Sequence, residues 1–418
     1  LVDIEHILRT IGIVLAVGLI AVPLANLLRL PSMVVLVAAG IVAGPTLLDL
    51  VDVPIDSVGP SLLFTIGVAL ILFHGGLGVS LRVISKTAIG LLLLAIPGVM
   101  ITAGIVALIV MPLFGVSWQI ALLVGAVLGA TDPAILVPLF DRLGLRPRVA
   151  QTVIAESAIN DPMSAILSLT MAGIITAGGL TSSVFAGDSP LIEFIRSIGL
   201  GLLIGIVGGV LIALMLSSRR FGVLRESVAA TLLAVVALAY VSSEVAGGSP
   251  YLAAFVAGLI VGNKDLLRIE HNHTQEEQLE TYVTQTVDII VLAIFVVLGL
   301  NLDVQLLVDN LWAGLAVMVV FIFIARPATV AFGLGLDRRA GWTRQEAIFI
   351  TWCRETGVVP VAVASLLLAE GVPGAELVAT LVTFAVIVTL LLQATTAGWL
   401  ARRLGLIETQ PLLLDGDA

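Results

Sequence analysis

Charge is what this 418-residue chain has least of: Asp, Glu, Lys and Arg together make up 12% of it, where soluble domains carry about a quarter. With 59% hydrophobic residues and a mean hydropathy of +1.17, that scarcity excludes a soluble globular enzyme or binding domain of this length. Aromatic residues are thin too, at 5%. That argues against a sodium-coupled symporter for an organic solute, whose midplane cavity would be lined with rings. A single cysteine, Cys353, excludes an internal disulfide, and its place in an apolar run assigns it to packing. No cleavable leader pattern is recognisable at the start, so the first apolar run is expected to insert the chain itself. The net charge of −9 says little about partners, because a chain of this kind sorts its charge by membrane side. Neither a nucleic-acid partner nor a cofactor is expected, and nothing resembles a soluble catalytic domain.

What is present is apolar sequence in runs of about 18 residues or more, recurring from end to end. The expected fold is an all-α polytopic membrane protein with about thirteen transmembrane helices. Their spans fall at roughly 7–28, 31–48, 57–77, 87–112, 117–140, 149–178, 191–217, 226–246, 250–263, 281–300, 307–334, 345–369 and 374–401. Alternate loops collect the basic residues: Arg29; Arg82 and Lys86; Arg142, Arg146 and Arg148; Arg219, Arg220 and Arg225; Lys264 and Arg268; Arg338, Arg339 and Arg344; Arg402 and Arg403. The loops between them hold Asp49, Asp52, Asp56, Asp188, Asp303, Asp309, Glu370 and Glu376. The positive-inside rule makes the basic side cytoplasmic, with the N-terminus outside the plasma membrane and the C-terminus inside, as an odd number of spans requires.

Two motifs echo across the chain. Residues 37–45 (VAAGIVAGP) resemble 255–263 (FVAGLIVGN), and 76–81 (GLGVSL) resemble 299–304 (GLNLDV), each about 220 residues further on. The same shift sets Asp132 against Arg354. Six spans, a linking span and six more then form an inverted repeat, the plan of many secondary transporters. The divisions are interface helices at 1–86 and 226–306, ion-transporting core helices at 87–180 and 307–403, a linking helix at 181–225 and a short cytoplasmic tail at 404–418.

The polar residues that do enter apolar sequence gather in residues 125–165: Thr131, Asp132 and Pro133, then Glu156, Ser157, Asn160, Asp161 and Pro162. An acid at mid-bilayer costs about 2.5–3.5 kcal/mol on insertion scales and marks a functional site by default. Arg326 and Arg354 also lie inside apolar runs, and buried arginines need an anionic partner, for which these acids are the candidates. A mid-helix Pro133 or Pro360 would free the carbonyl of Gly129 or Thr356. Residues 131–133 and 354–357 are therefore expected as unwound segments crossing near mid-membrane, their opposed helix ends neutralised by Asp132 and Arg354. Two proline kinks with satisfied polar neighbours are the plainer alternative.

Four-residue spacing puts Ser157 and Asp161 on one helical face, with Ser164 beyond, and Glu156 and Asn160 on the adjacent stripe. A small hard cation takes oxygen ligands, which the Asp161 carboxylate, the Ser157 hydroxyl, the Thr131 carbonyl and water would supply. The bland reading of Asp161 is a hydrogen bond between helices. Glu156 paired with Arg326 reads as a brace rather than a ligand, and neutral Asn160 as a residue that orients its neighbours. A proton and a cation competing for one carboxylate suffice for exchange. An intramembrane aspartyl protease would also set two aspartates, Asp132 and Asp161, on neighbouring spans, but it leaves Glu156 and two buried arginines unexplained.

The segments GATDPAILVPLF and AESAINDP resemble the fifth and sixth spans of NhaP-type sodium/proton antiporters, the family that includes the eukaryotic sodium/proton exchangers. ARPATV and WCRETG resemble its two arginine-bearing spans, so the likeness covers essentially the whole chain. The resemblance implies a homodimer in membrane lipid, with an interface domain and a mobile six-span core moving like an elevator. It implies that Asp161 carries the ion, that Thr131 and Ser157 help ligate it, and that Glu156 pairs with Arg326. The Asn160-Asp161 pair implies electroneutral, one-for-one exchange of sodium, and lithium, for protons in pH homeostasis. A potassium/proton antiporter of the same fold is the alternative, since ion choice turns on sub-ångström cavity size. Two positions depart from the pattern: His74 stands where many relatives carry Glu, and Glu355 follows Arg354 where the exchangers usually have Gly. Glu355 can pair with Arg354 or alter cation choice. His74 reads as a span-end residue with a partner, and His271 and His273 as solvated residues of the longest, acidic cytoplasmic loop.

Overall fold

Inside a bilayer an unpaired peptide group has no water to turn to, so an apolar chain closes its hydrogen bonds within helices. The computed structural model describes residues 4–28, 30–45, 47–51, 53–54, 57–84, 88–131, 140, 144–177, 190–217, 227–267 and 273–407, and every regular element among them is helical. The first half holds α1 (Ile4–Leu28), α2 (Ser32–Ala43), α3 (Val58–Gly78), α4 (Ala88–Ala95), α5 (Pro97–Phe114), α6 (Trp118–Val127) and α7 (Pro147–Thr176). After α8 (Pro190–Met215) come α9 (Val228–Ala246), α10 (Pro250–Gly262), α11 (His273–Leu300), α12 (Leu311–Val320) and α13 (Arg326–Leu336). The chain continues through α14 (Arg344–Trp352), α15 (Val358–Ala369), α16 (Ala375–Thr389) and α17 (Thr395–Arg403).

Among the described residues, nine stretches are long and apolar enough to cross a membrane: α1, α3, α4–α5, α7, α8, α9, α11, α12–α13 and α16–α17. Helices α2, α6, α10 and α15 are apolar but only 10–17 residues long. At about 1.5 Å per residue each falls short of a hydrocarbon core about 30 Å thick. Large apolar side chains such as Leu27, Leu108 and Val245 turn outward, as they do on a surface bathed in lipid. The chain is a multi-pass membrane protein.

Two expectations are corrected and one holds. As expected, the spans at 117–140 and 345–369 are interrupted rather than continuous helices. Helix α6 stops at Val127 and residues 128–131 leave the helix, while Asp132 and Pro133 lie outside the described residues. The other span divides into α14 and α15 around non-helical residues 353–357. Pro360 does not cause that division. It is the third residue of α15, where a peptide N–H has no helical acceptor to lose. Finally, the supposed longest loop is partly helical, with a 3-10 turn at Lys264–Leu267 and α11 starting at His273. Glu276 and Glu277 follow in its first turns, where the helix dipole favours negative charge. His271 lies outside the described residues.

Packing separates two groups of helices. In one, α2 lies on α11 and α10 on α3, with α1 beside α2 and with α8 and α9 beside α10. Glycines let these backbones touch: a Cβ at Gly40 would stand 2.3 Å from the Val296 carbonyl oxygen, and one at Gly258 would stand 2.0 Å from that of Phe73. In the other group α5, α6 and α7 pack in series and join α12 to α17, while α3 and α10 back onto α7 and α3 and α11 onto α15. Two of the long helices contain a π turn, Phe321–Ala325 before α13 and Leu390–Ala394 before α17. In the first, the Arg326 N–H reaches the Phe321 carbonyl and Pro327 follows at once, so the widened turn carries the helix past a residue with no N–H to give.

Candidate functional site

Helix α7 runs thirty residues through the middle of the second group and buries Glu156, Ser157, Asn160, Asp161 and Ser164 along its inward faces. Each polar group there must find a partner inside the protein. Glu156 finds Arg326, which the π turn delivers at the head of α13. The guanidinium grips the carboxylate with both terminal nitrogens, Nη1 to Oε1 and Nη2 to Oε2 at 2.9 Å. Nη2 also donates to the Ile350 carbonyl of α14 at 2.7 Å. The two side chains are 3% and 1% exposed. This is a bidentate, formally neutral pair that ties α7, α13 and α14 together.

One turn further along α7, the end of the chain leaving α6 arrives at the same face. The Thr131 N–H donates to Asp161 Oδ1 at 3.1 Å and to Asn160 Oδ1 at 3.3 Å. Asn160 Nδ2 donates to the Thr131 hydroxyl at 3.0 Å, and the Ser157 hydroxyl donates to the Thr131 carbonyl at 2.7 Å. Ser164 performs a similar service for the end of α6, donating to the Ala126 carbonyl at 2.6 Å. The Asp161 carboxylate and the Ser157 hydroxyl thus both hold Thr131, the first at its N–H and the second at its carbonyl. A carbonyl keeps a second lone pair after accepting one bond, and a hydroxyl keeps its own two after donating. The cluster is a set of hard oxygens around one carboxylate, the donor type that suits an alkali cation. Asp161 remains 8% exposed, the most accessible buried side chain of the group on α7.

Arg354 comes from the break between α14 and α15. Its Nη2 donates to the carbonyls of Gly129 at 2.8 Å and Leu128 at 3.3 Å, and its Nη1 to the Thr102 hydroxyl at 3.1 Å. The guanidinium also lies 4.9 Å from the centre of the Phe321 ring. A positive charge therefore sits on the C-terminal, partially negative end of α6. Among the described residues the partners of Arg354 are carbonyl oxygens and a hydroxyl; Asp132, the acid expected to oppose it, lies outside them. The Gly129 carbonyl is the one that sequence reasoning expected Pro133 to set free. Glu355 is buried next to Arg354 in the same break. That break is held from below by residues the sequence reading passed over. Gln393, in the second π turn, donates to the Trp352 carbonyl at 2.8 Å, and the Thr389 hydroxyl accepts the Thr356 N–H at 3.0 Å. A lone amide in LLLQATT was detectable by the scarcity argument that found the arginines; the threonines carry no such signal. His74 lies outside the site, its Nε2 3.5 Å from the Thr284 hydroxyl on α11.

The structure thus brings together Thr131, Glu156, Ser157, Asn160, Asp161, Arg326 and Arg354, while Asp132 lies outside the described residues. A family model described as "Sodium/hydrogen exchanger, transmembrane" matches residues 12–403. The K(+)/H(+) antiporter NhaP2 of Shewanella oneidensis is 33% identical over 396 residues, covering 93% of this chain and 65% of the relative, so the chain spans just under two thirds of that protein. The probable Na(+)/H(+) antiporter 2 of Methanocaldococcus jannaschii is 26% identical over 86% of this chain and 84% of the relative. The solved structure of the sodium proton antiporter MjNhaP1 from the same organism, at pH 8, aligns with a TM-score of 0.78 and 25% identity over 94% of this chain and 97% of that one. The chain belongs to the transmembrane sodium/hydrogen exchanger family, a family of transporters.

Proposed function

We propose that this protein exchanges a monovalent cation for a proton, one for one, with Asp161 accepting either ion and never both. The observation that carries the reading is that a buried carboxylate, Asp161, and the Ser157 hydroxyl both hold Thr131, by its N–H and by its carbonyl, at the unwound end of α6. Either occupant neutralises the carboxylate, so a loaded core crosses the apolar barrier, whereas the empty, ionised core is held back. Asn160 keeps Thr131 in register without adding charge. Glu156 and Arg326 brace α7 against α13 and α14 and cancel each other. Arg354 and Glu355 belong to the helix crossing, with Arg354 stabilising the end of α6. Asp132 is assigned to the same crossing from sequence alone.

The same reading extends to architecture. Thirteen crossings follow if the four short helices each complete a span with the residues flanking them. The glycine contacts support an inverted repeat: α2 meets α11 at Gly40 and Gly299, and α10 meets α3 at Gly258 and Gly76. These are the motif pairs that echo about 220 residues apart, so each contact is the other's counterpart under the repeat. On this reading 1–86 and 226–306 are interface helices, 87–180 and 307–403 the moving core, 181–225 the link and 404–418 a tail. The interface helices of two copies form a homodimer, and the core moves as an elevator. Loops with basic residues meet one another, as where the Arg148 guanidinium donates to the Ala340 carbonyl and the Arg146 N–H to that of Leu406. That supports one basic, cytoplasmic side, with the N-terminus outside and the C-terminus inside.

Sodium, with lithium, is the cation proposed from the resemblance. Potassium is the second reading, favoured by the printed activity of the Shewanella relative. One experiment tests both parts. In proteoliposomes reporting internal pH by fluorescence, sodium, lithium or potassium gradients should drive proton movement in the native protein and none in Asp161→Asn. Exchange persisting in a correctly folded Asp161→Asn protein removes Asp161 from the role, and the cation that drives the native signal decides the substrate.

A further inference from the structure

Away from the ion site, an open groove of about 730 Å³ runs along the outer flank of α13, α14 and α17. Its volume falls in the range of about 300–1,000 Å³ typical of pockets for small apolar ligands. Its floor is apolar, with Pro327, Val330, Ala331 and Ala347 among the lining residues. At the inner end stand Phe323, in the π turn next to Arg326, and Trp352, the last residue of α14 before the break. At the outer end stand Trp342, Arg344 and Leu400, with Trp399 on the rim and 55% exposed.

Cations crowd that outer end. Arg344 lines it and is exposed; Arg148 lies 4.0 Å from the centre of the Trp342 ring, and Arg403 lies 5.1 Å from that of Trp399. Arg338 and Arg339, both exposed, occupy the adjoining turn. Among the described residues the adjoining acids face backbone: Glu346 closes a capping box on the Thr343 N–H, and Asp337 accepts the Gly90 and Ala340 N–H groups. An apolar trough between helices, closed at the water end by tryptophans and by arginines that form no ion pair among the described residues, has the two ends of a lipid molecule in negative image.

We infer that this groove is a selective site for one anionic phospholipid, with an acyl chain along α13 and α14 and the phosphate at Arg344 and Arg403. The occupant would touch both Phe323 and Trp352. Trp352 is fixed at its indole by Thr396 and at its carbonyl by Gln393, so a bound chain stiffens the support of the Arg354 break. The inference does not depend on which ion Asp161 carries, or on whether it carries one.

Delipidated protein in detergent tests it by native mass spectrometry and thermal melting. The probes are phosphatidylglycerol, phosphatidylcholine with matched chains, and inorganic phosphate. Phosphatidylglycerol should give a retained one-to-one adduct and raise Tm by several degrees, with little response to the other two. Arg344→Gln combined with Arg403→Gln should remove the preference for phosphatidylglycerol while leaving the basal Tm near native, because both side chains are exposed. Ala347→Trp should remove the adduct by filling the trough. Equal responses to the two lipids, a rise in Tm with phosphate alone, or an undiminished preference in the double arginine variant would each overturn the site.

Discussion

Two opposite charges taken from water into a protein interior lose more solvation than a single contact returns, so a buried pair is justified by geometry rather than by attraction alone. Glu156 and Arg326 meet that condition, with two parallel contacts and a third bond from Arg326 to the Ile350 carbonyl. Removing one partner strands the other. Glu156→Gln and Arg326→Ala are each expected to destabilise the folded protein by about 3–5 kcal/mol, seen as a marked fall in melting temperature in detergent. The joint replacement Glu156→Leu with Arg326→Met, similar in bulk and free of charge, should recover most of that loss. Unchanged melting in both single variants would show that the pair braces nothing. Asp161 differs in kind. It is 8% exposed and accepts the Thr131 N–H, a bond that the amide oxygen of an isosteric Asn can still accept, so its replacement by Asn should spare stability while ending transport.

At the scale of the helix, close backbone approach does work that side chains cannot. The Cβ of any residue other than glycine at position 258 would stand 2.0 Å from the Phe73 carbonyl oxygen, and no rotamer relieves a clash with backbone. Gly258→Val should therefore force α3 and α10 apart and abolish the monodisperse size-exclusion peak. Gly75→Ala, beside the partner glycine Gly76 but with nothing within 4 Å of the new carbon, should leave the peak intact. A normal elution profile for Gly258→Val would mean that the two helices do not need this contact. The same elements mark how far sequence reasoning reached. Charged residues in apolar runs are rare, so Glu156, Asp161, Arg326 and Arg354 stood out, and the Glu156–Arg326 pairing was legible from that rarity. The break before residue 358 was legible as well, but its cause was misread, because whether Pro360 lies mid-helix or in a first turn depends on where the helix starts. Thr102 and Thr389 were invisible. A threonine in an apolar helix ordinarily returns its hydroxyl to its own backbone, as Thr329 does to Ala325, and only tertiary packing turns one toward Arg354 or Thr356. The acidic start of α11 was taken for loop because hydropathy registers the bilayer and not helix that extends beyond it.

For the whole molecule, the decisive quantity is the difference in charge between the two loaded states. Carrying one elementary charge across a membrane is worth about 2.3 kcal/mol per 100 mV, so a carrier whose loaded states differ in charge responds steeply to potential. With Asp161 as the one exchangeable carboxylate, its proton-bound and cation-bound forms bear the same charge. On that premise the Glu156–Arg326 pair and Arg354 contribute the same charge to both loaded states. Whatever the fixed charge of the core, one complete cycle returns it and transfers none. Two measurable consequences follow from the single premise. On a solid-supported membrane, a jump in cation concentration should produce no sustained current under conditions in which the same vesicles develop a pH difference. Acidifying both sides should raise the apparent KM for the cation, approaching about tenfold per pH unit once the proton dominates, because the two ligands exclude each other from one site. A steady current would require a second exchangeable charge, for which Asp132 and Glu355 are the residues to replace first. A KM indifferent to pH would separate the proton from Asp161 altogether.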